Sequence, residues 1–115
     1  MKAIKDLSAA ITLFKEAAAK QAQGTEIGNS KMANRNYDIL INIINYLKQN
    51  DSLDKLLELL EDQNVGVRIW AAAYLLPIHE KEATMVLKEI EKGSDIHSLD
   101  AETTLSEWRR GNIKF

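Results

Sequence analysis

NVGVRIWAAAYLLP, residues 64–77, is the stretch that decides the fold. From Val65 to Leu76 it carries a single charge, Arg68, and otherwise presents apolar groups all round a helical wheel. Val67, Trp70, Ala71, Tyr74 and Leu75 fall on one side, and Ile69, Ala72 and Leu76 on the other. A helix that is apolar on every side must be buried on every side. The spacing therefore predicts a central helix, with Asn64 and Gly66 in the turn before it and Pro77 ending or kinking it. Its small alanines would let neighbouring helices approach closely. The apolar run through Ile78 is about ten residues, half of the roughly 20 that a membrane span needs.

On the N-terminal side, Ile4, Leu7, Ile11, Phe14 and Ala18 recur in steps of three and four over residues 3–23, one stripe of one helix. Gly24 and Gly28 read as a break, and Asn29 or Ser30 offers an N-cap to a second helix. That helix carries Ala33, Tyr37, Leu40, Ile41, Ile44 and Leu47 and ends near Asn50. Ser52 can cap a third, with Leu53, Leu56, Leu57 and Leu60. Beyond Pro77, a fifth helix from about Glu80 to Lys92 presents Ala83, Val86, Leu87 and Ile90, with Gly93 in the C′ position. Ser98 can cap a sixth, placing Asp100 and Glu102 in its first turn, where the helix dipole favours negative charge. Its inward stripe is Ala101, Leu105 and Trp108. No segment alternates like a strand. The expectation is an all-α chain forming one domain over residues 1–115.

A shift of 30 residues overlays the last two helix pairs: Leu56 on Val86, Leu57 on Leu87, Leu60 on Ile90, Ile69 on Leu99, Ala71 on Ala101 and Leu75 on Leu105. Helix pairs repeating at this period indicate an α-solenoid, because one pair cannot bury both faces alone. About six helices in three antiparallel pairs fit the length.

NVGVRIWAAAYLL also resembles the second helix of a HEAT repeat, with Val67 and Arg68 near the start, Ala71 and Ala72 in the next turn and Leu75 one turn on. YDIL (residues 37–40), VRIWAAAYLL and DAETTLSEWRRG (residues 100–111) together resemble a family of small bacterial HEAT-like proteins known as domain of unknown function 2019. The resemblance covers most of the chain, from about Ile11 to Gly111. It implies a short HEAT/ARM-like solenoid and no chemistry. HEAT-like proteins commonly serve as protein-binding surfaces, and some small bacterial ones are similar to immunity proteins of toxin systems.

Composition narrows the function further. Of 115 residues 45% are apolar and 28% charged, which suits a folded globular chain and not a disordered one. With no cysteine, disulfides, thiolate metal sites and cysteine nucleophiles are excluded. The N-terminus lacks the pattern of a signal peptide, so the expected location is the cytoplasm. The net charge of −2 conceals a division: residues 1–50 sum to +3, residues 51–107 to −8 and the last eight to +3. A field of −8 repels phosphate backbones and attracts basic partners.

No motif marks an enzyme. The chain has no glycine-rich phosphate loop and no recognisable nucleophile motif. His79 and His97, the only histidines, have no metal-ligand spacing and read as exposed loop residues. No cofactor or metal is expected. Arg68 reads first as structural, paired with Asp62 or Asp100, because an unpaired buried charge is costly; the alternative is an acidic group on a ligand. Asp100, Thr103 and Glu107 share one face of the sixth helix. Beside the flank of Trp70 and Tyr74 they would make an acidic, aromatic docking surface. Plain core packing is the competing account of both aromatics. The function expected is a protein-binding helical module for a basic partner, specifically an immunity protein neutralising a bacterial toxin such as a nuclease. The alternative, a nucleic-acid-binding HEAT-like protein, is disfavoured by the acidic second half.

Overall fold

The computed structural model describes residues 4–112, and these form five α-helices and one 3-10 segment, with no strand among them. The chain divides into two units, residues 1–55 and 56–115.

In the first unit, Asp6 starts α1 (Leu7–Glu26): its backbone is extended and its carboxylate accepts the Ala9 N–H at 2.8 Å. The buried face of α1 is Ala10, Phe14, Ala17, Ala18, Ala22 and Gly24. Gly24 is thus no break. It lies inside the helix where α2 (Ser30–Gln49) begins to pack against it, and a Cβ there would come within 2.7 Å of the Ala33 backbone nitrogen. The chain turns instead at Gly28, whose φ of +72° glycine adopts without steric cost. Asn29 caps α2 by accepting the Met32 N–H at 3.0 Å. Leu40, Ile43, Ile44 and Leu47 form its buried stripe, joined by Asn36, whose amide donates to the Met32 carbonyl at 2.9 Å.

The expected third α-helix is a 3-10 segment, Leu53–Glu61. With three residues per turn it lines up Leu53, Leu56 and Leu59, and Leu59 is buried while Leu57 is only half-buried. Ser52 does not cap it; its hydroxyl donates back to the Asn50 carbonyl at 2.8 Å.

In the second unit, Asn64 caps α3 (Val65–Leu75) by accepting the N–H groups of Gly66 at 2.8 Å and Val67 at 3.2 Å. Gly66 therefore belongs to the helix and not to the turn. Val67, Ile69, Ala71, Ala72, Tyr74 and Leu75 are all buried, and α3 packs against both later helices, as its apolar surface requires. Pro77 ends it: the Ile78 and His79 N–H groups turn back to the Leu75 carbonyl. α4 (Glu80–Glu91) buries Ala83, Leu87 and Ile90. Gly93 follows its last turn but is not left-handed; what constrains it is the Ser98 hydroxyl oxygen, 2.6 Å from where a Cβ would stand. α5 (Ile96–Arg109) begins a turn earlier than Ser98 suggests, because Asp95 is the cap. Ala101 and Leu105 are buried, whereas Trp108 is only half-buried.

Candidate functional site

The link between α4 and α5 builds a concavity of about 320 Å³ within the second unit. Two large apolar side chains line it: Ile96 is 41% and Leu99 62% exposed, high values for such groups. Three acids, Glu91, Asp95 and Glu102, line it as well. Leu99 lies two residues before the buried Ala101, which turns it about 200° away from the inward stripe. Glu102 and Thr103 stand three and four residues after Leu99 and share its face.

Asp95 fixes this geometry. Its Oδ1 accepts the Ser98 N–H at 3.0 Å and the Ser98 hydroxyl at 3.0 Å. These bonds, with lesser help from His97, hold its carboxyl below the usual carboxylate range. Asp100 is affected in the opposite sense. Partial desolvation pushes it up, with His97 pulling weakly the other way.

The residues singled out from sequence are dispersed. Asp100 and Thr103 are exposed on α5, next to the concavity. Glu107 is half-buried and accepts the Asn112 side-chain amide at 2.7 Å. Trp70 and Tyr74 stack on one another along α3, ring centroids 6.0 Å apart, with Tyr74 buried at 8% exposure. None of the six, Arg68 included, lines the concavity. Arg68 is half-buried, and its Nε is enclosed without a hydrogen-bond acceptor among the described residues. Burial and His97 are the influences on the Asp100 carboxyl, and Arg68 is not among them.

The histidines also differ from their expected setting. His97 is buried in the first turn of α5. His79 stands at the N-cap position of α4 without capping it, its Nδ1 3.3 Å from Glu82. No three acidic or histidine side chains among the described residues are grouped to hold a metal ion. No described helix is long and apolar enough to cross a membrane.

Sequence reasoning missed Ile96 and Leu99. The 30-residue overlay set Leu99 on buried Ile69. Ile69 and Ala71 stand at the same angle to one another and are both buried, because α3 is covered on more than one side, whereas α5 buries only the Ala101 side of that pair.

Residues 8–107 match the family model described as "Domain of unknown function (DUF2019)", and the chain belongs to that family. None of the curated proteins matches it in sequence. Among solved structures, the crystal structure of the protein RPA1889 from Rhodopseudomonas palustris CGA009 is similar, with a TM-score of 0.84. The two are 24% identical, covering 94% of this chain and 92% of that one, and share the fold.

Proposed function

We propose that this family member is a non-enzymatic, cytoplasmic protein-interaction module whose acidic second half docks a basic protein. One observation carries the reading: exposed Ile96 and Leu99 line the same concavity as the carboxylates of Glu91, Asp95 and Glu102. An apolar centre with a charged rim is how protein interfaces are organised. Asp100 and Thr103 extend the patch along α5. The finer fold reading, a HEAT/ARM-like solenoid of antiparallel helix pairs, belongs to the same proposal. It is supported by the short links between α1 and α2 and between α4 and α5. The finer partner reading is a basic bacterial toxin, such as a nuclease, with this chain as its immunity protein. The acidic field of residues 51–107 supports it, because such a field speeds encounter with a basic groove.

The test compares the unmodified chain with Glu91→Lys/Glu102→Lys as bait in the native host, followed by titration of whatever basic protein is captured. Binding should weaken about tenfold or more in the double variant, as for loss of hot-spot contacts. Association should slow as the Debye length falls from about 10 Å at 0.1 M salt to about 3 Å at 1 M. Tight binding of duplex DNA or RNA, or a partner indifferent to the reversal and to salt, would overturn the reading.

A further inference from the structure

A second concavity, of about 410 Å³, lies between α4 and α5, and its charge is opposite to that of the whole region. From α4 it takes Lys81, Met85 and Lys88; from α5 it takes Leu105, Trp108 and Arg109. The α4 positions fall at i, i+4 and i+7, one straight edge about 10 Å long. Met85 is 64% exposed at its middle, with a lysine at either end. The one carboxylate on the groove, Glu80, accepts the indole N–H of Trp108. That bond orients the ring from α5 towards α4, and the carboxylate keeps its charge. Neighbouring acids on α4 face their own helix: Glu82 meets His79 at 3.3 Å and Glu89 meets Lys92 at 3.4 Å. Lys81, Lys88 and Arg109 make no ion pair among the described residues.

We propose that this groove docks an acidic, amphipathic helical segment of a partner protein. Three cations against one carboxylate leave the lining net positive, beside the apolar surfaces of a methionine and a tryptophan. The first deforms easily to fit a guest, and the second supplies a large rigid contact. The α4 edge and the facing α5 edge are parallel to the helices that make them, which suits a guest helix laid along the groove. The sign of the rim selects an acidic guest, because the surrounding residues 51–107 sum to −8 and would repel one elsewhere. An extended polyanion such as DNA would carry its phosphates across that acidic surround, whereas a short segment need not. The residues, and the sign of the partner, differ from those of the acidic patch, so the two proposals can fail separately.

The probe is a phage-displayed library of random peptides, panned on the full chain and counter-selected on Lys81→Glu/Lys88→Glu. Both lysines are exposed, and circular dichroism checks that the variant keeps its helices. Clones retained by the unmodified chain and rejected by the variant should be rich in Asp and Glu around Leu, Phe or Trp. A synthetic peptide from them should bind about tenfold more weakly to Met85→Ala, which changes no charge. It should also shift the Trp108 indole resonance. Enrichment of basic or neutral peptides, no clone that discriminates the variant, unchanged affinity for Met85→Ala, or displacement of the peptide by duplex DNA at equal concentration would overturn the proposal.

Discussion

The 1–55 unit rests on two helices of 20 residues each, whereas the 56–115 unit divides its length among helices of 11, 12 and 14 residues. Long helices need only one buried stripe, and α1 and α2 bury one apiece, brought close by Gly24 and alanines. An 11-residue helix is marginal alone. α3 compensates by burying nearly all of its surface against two neighbours. The contrast carries over to function. The short helices of the second unit leave a concavity between α4 and α5, lined by exposed Met85, and another at their link, lined by exposed Ile96 and Leu99. Backbone approach dominates in one unit, and side-chain packing with surface relief in the other.

Removing the largest buried side chain from the long-helix unit should have the greatest effect. Phe14 is fully buried, and Phe14→Ala should cost about 3–5 kcal/mol in urea denaturation, the loss of transfer free energy plus an unfilled cavity. Leu75→Ala, at the centre of the other unit, should cost about 2–5 kcal/mol. A loss below about 1 kcal/mol at either site would mean that the site collapses readily and the packing contrast is overstated.

Added volume separates the units more sharply. In an open helix Gly→Ala would gain up to about 1 kcal/mol in helix propensity. At Gly24 the new methyl would meet Ala33 backbone atoms at 2.7 and 3.1 Å, which cannot rotate away. Gly24→Ala should therefore destabilise, by about 1–3 kcal/mol. Gly93→Ala would meet the hydroxyl of Ser98, which can turn away only by giving up its hydrogen bond to Asp95, and a side-chain clash of this kind should cost less than one with backbone. In α3, Ala71→Leu should cost about 1–3 kcal/mol, since Ala71 has no exposed surface. Thermal midpoints measure all three, and a stabilised Gly24→Ala would remove the close approach from the first unit.

Caps come next in size. Asn64 holds two N–H groups at the start of α3, and Asn64→Ala should cost about 1 kcal/mol, with Asn64→Asp retaining most of the stability. An unchanged midpoint for Asn64→Ala would mean that packing alone sets the start of this helix.

Much of this architecture is legible in the residues. The start of α2 follows from a cap residue ahead of a periodic apolar run, at Asn29, and that of α3 from the turn read at Asn64, which the structure makes its cap. The misreadings share a cause, since one residue type serves two physical purposes. Glycine breaks helices, but it also permits close backbone contact, and only the partner Ala33 distinguishes the two at Gly24. Serine and aspartate both cap, and where both occur the first in the chain, Asp95, takes the role while Ser98 donates to it. Over the nine residues of Leu53–Glu61, leucines fit a period of three as well as 3.6. The candidate sites were hidden differently. Net charge over residues 51–107 averages away Lys81 and Lys88, and the division of the chain at residue 107 separates them from Arg109, which lies on another helix but lines the same groove.

The smallest predicted effect is electrostatic and falls entirely within the second unit. Asp95 is ionised in both folded and unfolded chains near neutrality, and there its hydrogen bonds from Ser98 contribute in full. As the pH falls through the ordinary carboxylate range, the unfolded chain takes up its proton first, while the folded chain resists because its carboxyl is held lower. The contribution therefore shrinks with acid and is gone below the folded-state pKa. Asp100 behaves in the reverse sense. Its folded-state pKa is raised, so its charge costs stability near neutrality, and that cost disappears in acid. Asp95→Asn keeps a capping oxygen and removes the charge. It should be less stable than the unmodified chain at neutral pH, the gap closing as the pH falls. Asp100→Asn should be slightly more stable at neutral pH, and its gain should close at a higher pH than the Asp95 gap, because the folded Asp100 carboxyl takes up its proton before the unfolded one. Thermal midpoints taken from neutral pH to about pH 2, across the carboxylate range, measure both. Parallel curves for Asp95→Asn and the unmodified chain would show that Ser98 binds the neutral side chain as well as the carboxylate, and that the link between α4 and α5 is set by shape and not by charge.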